Sequence, residues 1–158
     1  MPSHELSLFA APACRRRLLA GFGLLMMSAA AVSAPPAALP APPVGAEAVD
    51  WDHFGEPSLS SARRADVAVS RAMPAPVVET LLFRLPGDVG WEQVSGHYRR
   101  AAGAGWKPVA GSERVEAGNP ARQQRFAAAD RSFAVVWLPA AGEVRDGLLM
   151  VLVAAPTR

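Results

Sequence analysis

The chain has 158 residues, with 16 Lys+Arg against 14 Asp+Glu, one Cys, 15 Pro and 13 Gly. That length supports one modest domain rather than two. With 51% hydrophobic and 19% charged residues, the composition excludes a wholly disordered polyampholyte and a polybasic nucleic-acid arm, and the single Cys excludes both an internal disulfide framework and a Cys-rich zinc module.

Ile is absent, and Lys107 and Asn119 are the only Lys and Asn. Ala makes up about a fifth of the chain. This pattern matches the codon bias of a GC-rich bacterial genome. A run of Arg is therefore not, by itself, a sign of phosphate or carboxylate binding.

Arg15, Arg16 and Arg17 precede an uncharged stretch from Leu18 to Ala34 that ends in small residues. A basic flank, a short apolar core and small residues at its end make a secretory signal over residues 1–34. The stretch is 17 residues long and weakly apolar in its last third, whereas a spanning helix needs about 20 strongly apolar residues. Cleavage is expected near Ala31 to Ala34, because Pro35 disfavours a cut directly after Ala34. Cys14-Arg15-Arg16-Arg17-Leu18-Leu19 resembles a twin-arginine signal, but an ordinary basic n-region explains the same residues and is the commoner form. Cys14 lies before the apolar run, so a lipid anchor is rejected. Removing the leader takes away the only Cys, three Arg and one Glu, which leaves 13 Lys+Arg and 13 Asp+Glu. The basic pI near 9.3 is then a property of the leader.

Residues 35–60 read as a Pro/Ala-rich spacer and an anchoring segment. Pro35 to Pro43 disfavours helix and sheet, so an extended, semi-stiff spacer is expected. A PxxP ligand for a signalling domain is disfavoured in an exported chain. Asp50, Asp52, His53 and Glu56 form the one acidic–His cluster. It lacks a second His and metal-ligand spacing, so no metal is assigned. Trp51 and Phe54 instead read as apolar anchors, and the Ser58, Ser60 and Ser61 run reads as loop.

The domain is expected over residues 61–158. Asp66 to Ser70 alternates like a short edge strand. Val77 to Leu85 is a strand, ended by the Pro86-Gly87-Asp88 turn. Asp88 is expected to cap a helix whose body is Trp91 to Ala104. Its apolar face is Trp91, Val94, Tyr98 and Ala101, and Gly103 and Gly105 stop it. Trp106 to Ala110, Arg122 to Ala128, Ser132 to Leu138 and Leu148 to Ala154 read as strands, with Pro108 marking an edge. The fold class is α+β, in the order β-α-β-β-β, with one helix packed on a small antiparallel sheet. The last two strands are apolar on both faces and one helix covers one face. The other face is expected to take the Trp51–Phe54 segment, a second copy or a partner.

Trp91-Glu92-Gln93-Val94, His97-Tyr98-Arg99 and Gly105-Trp106, after a Leu-Pro-Gly-Asp turn, resemble an element of small exported proteins of Gram-negative bacteria, most of them uncharacterised. The likeness covers about Leu81 to Lys107. It implies an envelope location and an α+β fold, and it carries no catalytic role.

The expected function is that of an exported envelope protein, periplasmic or secreted. It is read as a non-enzymatic protein-binding or structural module, meeting an envelope protein or a second copy through the apolar sheet face. One alternative is a carrier of a small apolar ligand between helix and sheet, lined by Trp91, Trp106 and Trp137; the same Trp also read as core. A second alternative is a hydrolase using His53 or His97 with a carboxylate, for which no nucleophile or metal motif is present. No catalytic residue and no cofactor is assigned. The neutral mature charge argues against nucleic acid, and a membrane is met only during export.

Overall fold

The computed structural model describes residues 38–103, 105–113, 115, 117–141 and 145–157. The leader, its cleavage point and Cys14 lie outside the described residues. Chain order is β1 (Glu47–Ala48), a 3-10 turn (Trp51–His53), α1 (Ser58–Ala72), β2 (Val77–Leu85), α2 (Trp91–Ala101), β3 (Lys107–Pro108), β4 (Arg122–Ala128), β5 (Arg131–Leu138) and β6 (Gly147–Ala154). The six strands form one sheet in the order β1-β2-β6-β5-β4-β3, and every pairing is antiparallel.

The sheet is α+β as expected, but it carries two helices rather than one. The stretch expected as a strand at Asp66 to Ser70, and the serines expected as loop, all lie within α1. Its buried residues are Ser58, Ala62, Ala65 and Val69, spaced by four, three and four residues as one helix face requires. Val67 and Val69 do not share a face: Val67 is 47% exposed and Val69 is 1% exposed. Helical packing thus overrides the period-2 alternation. The domain boundary expected at 60–61 falls inside this helix.

α1 fills the sheet face that the sequence left open. Ala62, Ala65 and Val69 pack with Leu82 of β2, Ala134 and Val136 of β5, and Met150 and Leu152 of β6. Small side chains let the helix backbone come close to the sheet. Phe54, 3% exposed, joins the same core and Trp51 packs against it, so both expected anchors meet the domain. The apolar face is therefore covered from within the chain.

α2 covers the opposite face. Val94 and Tyr98 pack with Leu85, Phe126, Phe133, Val135, Leu149 and Val151. Phe126 and Phe133 stack at 4.8 Å, and Trp106 meets Phe133 edge-on at 4.8 Å. Each such aromatic pair adds about 0.5–1.5 kcal/mol beyond its area burial. In the last turn Ala102, not Ala101, is buried, because it lies four residues after Tyr98.

The N-terminus of α2 is capped by a different group from the one expected. The Gly90 N–H donates to Gln93 Oε1 at 2.7 Å. Asp88 instead belongs to the preceding turn, where the Val89 N–H donates to the Pro86 carbonyl at 2.9 Å. In that turn a Cβ on Gly87 would lie 2.0 Å from the Arg145 carbonyl oxygen, so only glycine allows the two backbones to meet. The helix ends at Ala101, and Gly103 follows at φ 55°, the left-handed stop that glycine adopts without a Cβ penalty. β3 is an edge as Pro108 implied, but only two residues pair.

Tyr98 is fully buried, and its hydroxyl has no hydrogen-bond partner among the described residues. Burial raises its phenol above the ordinary value of 10.0. The folded state thus holds that proton more tightly than the unfolded chain. Stability from this group is complete below pH 10 and is lost as pH rises through the folded pKa. Tyr98→Phe should leave stability at neutral pH unchanged or higher, since it removes an unpaired buried hydroxyl, and should flatten the fall above pH 10. Phe133→Ala should cost about 3–5 kcal/mol at any pH. Urea unfolding at neutral and alkaline pH reads both.

Candidate functional site

Trp91, Trp106 and Trp137 all reach the α2 face of the sheet. Trp106 is 4% exposed, and Trp91 and Trp137 pack half-buried against the same core. They share one core but are spread along it. Trp106 lies on Phe133 at the start of β5, while Trp137 lies near its end, roughly 13 Å along the strand at the usual rise. The Trp137 Nε1–H donates to the Val89 carbonyl at 3.2 Å, which fastens β5 to the entry of α2. The space between α2 and the sheet is filled by Tyr98, Phe126 and Phe133, each 0% exposed.

Trp106 has a second role. Its Nε1–H donates to the Ala38 carbonyl at 3.0 Å. On α2, His97 Nε2 lies 2.9 Å from the Ala41 carbonyl. Leu39, between the two acceptors, packs against the α2-side core. Part of the segment expected as a free spacer is therefore docked on the domain. The segment then turns, with the Ala46 N–H donating to the Pro43 carbonyl at 3.1 Å, and enters β1. There Arg84 of β2 pairs with Glu47 and lies 3.6 Å from Asp146.

His97 is thus a donor to main chain, with its ring edge-on to Tyr98 at 5.2 Å. His53 is exposed at the end of the 3-10 turn, edge-on to Phe54. The two His residues are not brought together with any shared carboxylate. Among the described residues no group of three His, Cys, Asp or Glu is placed to hold a metal.

The cavity that does lie between a helix and the sheet is on the other face. It measures about 250 Å³ and is lined by Met73, Pro74, Arg125, Ala127 and Ser132 among others. Arg125 crosses it, with Nη1 donating to the Ala72 carbonyl at 2.6 Å. This places a cation on the last carbonyls of α1, where the helix dipole favours it. The Arg125 Nε and Ser132 Oγ have no hydrogen-bond partner among the described residues.

A polar network holds the chain after β3 onto β4. Gln124 Oε1 accepts from Arg99 at 3.0 Å, and Gln124 Nε2 donates to Ser112 Oγ at 3.3 Å. The Arg99 guanidinium also pairs with Glu113 at 3.1 Å. These groups are mutually paired and act as a clamp.

The outer face of α1 differs. Arg63, Arg64 and Arg71 are exposed around Val67, and they line a shallow groove of about 400 Å³. None of the three makes an ion pair or side-chain hydrogen bond among the described residues. Asp66, the one acid of the helix, turns toward the sheet, where it accepts from Thr80 Oγ1 at 3.5 Å. Reading 66–70 as a strand hid this face, because the arginines and Val67 share one side only with a 3.6-residue period.

No family model, curated protein or solved structure matches this chain.

Arg125→Met should destabilise the protein by about 1–2 kcal/mol, by removing a charged donor from the end of α1. Ser132→Ala should change stability by less than that, since its hydroxyl makes no bond. Urea midpoints compared at neutral pH read the difference.

Proposed function

We propose that this chain is an exported bacterial envelope protein whose domain is a non-enzymatic protein-binding module. The observation that carries the reading is the outer face of α1. Three arginines that have no ion pair among the described residues surround a half-exposed valine there, and the one acid of α1, Asp66, is engaged with Thr80. Such a face offers charge-assisted donors around an apolar contact, the combination that interface centres favour. Guanidinium groups bind carboxylates in paired geometry, so the fitting partner presents Asp or Glu around a small apolar knob. Export is supported by the basic flank and short apolar core of residues 1–34. The likeness to small exported proteins of Gram-negative bacteria points to the same compartment.

A second copy is not needed to cover the sheet, because α1 does so. The carrier reading loses the space it required, since aromatic side chains occupy it.

A photo-crosslinking residue at position 67, in the protein expressed in its own kind of host, tests the proposal. A discrete adduct from the envelope fraction is expected, and Arg64→Glu with Arg71→Glu should abolish it. Absence of any adduct, or one indifferent to charge reversal, would overturn the reading.

A further inference from the structure

The geometry points to a binding site on the α2 face for an extended, proline- and alanine-rich peptide, in which the chain's own Ala38–Pro43 segment sits as resident ligand and which accepts the same kind of segment from another protein. This inference is independent of the α1 surface.

The docked segment lies in neither helix nor strand. Its Pro40, Pro42 and Pro43 have fixed φ and no N–H. An extended proline-rich chain makes no internal hydrogen bonds, so its carbonyls are open to outside donors; here only the Pro43 carbonyl, at the following turn, accepts from the nearby Ala46 N–H. The domain supplies two such donors. Trp106 Nε1 meets the Ala38 carbonyl at 3.0 Å, and His97 Nε2 meets the Ala41 carbonyl at 2.9 Å. The two acceptors are three residues apart, which is one turn of a polyproline II helix. That spacing brings both carbonyls to the same side of the segment, facing the domain.

Both donors also have contacts of their own within the domain. Trp106 is fixed by its edge-on contact with Phe133, and His97 by its edge-on contact with Tyr98. An indole N–H can only donate, so Trp106 selects a carbonyl. Aromatic side chains with a donor at one end are the usual means of reading an extended proline-rich segment.

The contacts also define what the site reads. Ala38 and Ala41 are exposed and contribute main-chain oxygens. The Leu39 side chain packs against the core, and Pro40, Pro42 and Pro43 are half-buried like it. Recognition therefore needs an apolar residue directly after the first acceptor. No sheet ladder bond is made by residues 38–43, so the segment can leave while every strand stays paired. A proline-rich competitor meets a site that is already shaped.

The test uses the purified protein carrying Pro40→Gly and Pro42→Gly, which loosens the resident segment without touching the core. The probe is a fluorescein-labelled peptide of the sequence of residues 35–43, followed by anisotropy. Saturable binding is expected, tighter than to the unaltered protein. Adding His97→Leu should weaken it about threefold to tenfold, the worth of one hydrogen bond, while His97→Gln, which keeps a donor, should restore most of it. A probe with Asp at the Leu39 position should not bind. Circular dichroism checks that each variant is folded. Lack of saturation with both the loosened and the unaltered protein would overturn the site, as would affinity indifferent to His97→Leu and to the Asp probe. A dimer of the unaltered protein that the peptide splits would put a second copy's segment in the groove and overturn the assignment to a separate partner.

Discussion

Strands β5 and β6 bury side chains on both faces, and everything else in the domain is arranged around that requirement. Ala134, Val136, Met150 and Leu152 point one way, and Phe133, Val135, Leu149 and Val151 the other. A sheet with two apolar faces needs two covers. α1 and α2 supply them, and they differ in kind. α1 covers its face with Ala and Val. α2 covers its face with Val94 and Tyr98, which meet the rings of Trp106, Phe126 and Phe133. The Trp51–Phe54 segment and the Leu39 segment seal the margins of the two layers.

Much of this arrangement is legible from the amino acids. β2 and β4 have the bounds expected from their residues, and β5 and β6 are each one residue longer. Their apolar runs end at Pro-Gly, Gly-Asn-Pro or a two-residue hairpin, where the chain has few alternatives. α2 is legible because Trp91, Val94 and Tyr98 are large and unambiguous. α1 is not, because its buried stripe is written in Ser and Ala. In a chain that is one-fifth Ala, those residues look like background, and Asp66-Val67-Ala68-Val69-Ser70 mimics a strand. Without α1, one face of the sheet has no cover in the sequence pattern, which is why the pattern points to a partner there.

The candidate binding groove was illegible for a different reason. Its acceptors are the main-chain carbonyls of Ala38 and Ala41, which every residue has. The donors, Trp106 and His97, are a buried aromatic and a half-buried residue of α2, neither of which signals a binding role by its type or spacing. What no spacing rule states is that a segment more than 50 positions earlier lies against them. The sheet edges show the same economy of signal. β1 and β3 each pair through two residues, and Pro108 and Lys107 make the β3 edge a poor template for another strand.

The position of β6 in the sheet has a bearing on how the protein acquires its structure. β2 neighbours only β1 and β6, and β6 is the last strand of the chain. The ladder between Val77 and Ala154 therefore closes a loop that contains α2 and three other strands. High separation between paired segments slows the search for the native arrangement. A chain delivered from its N-terminus would hold β2 and both helices without their central strand until β6 emerged. The hairpin of β4 and β5 can form locally, whereas joining it to β2 waits on β6. Loss of β6 would thus prevent assembly rather than trim it.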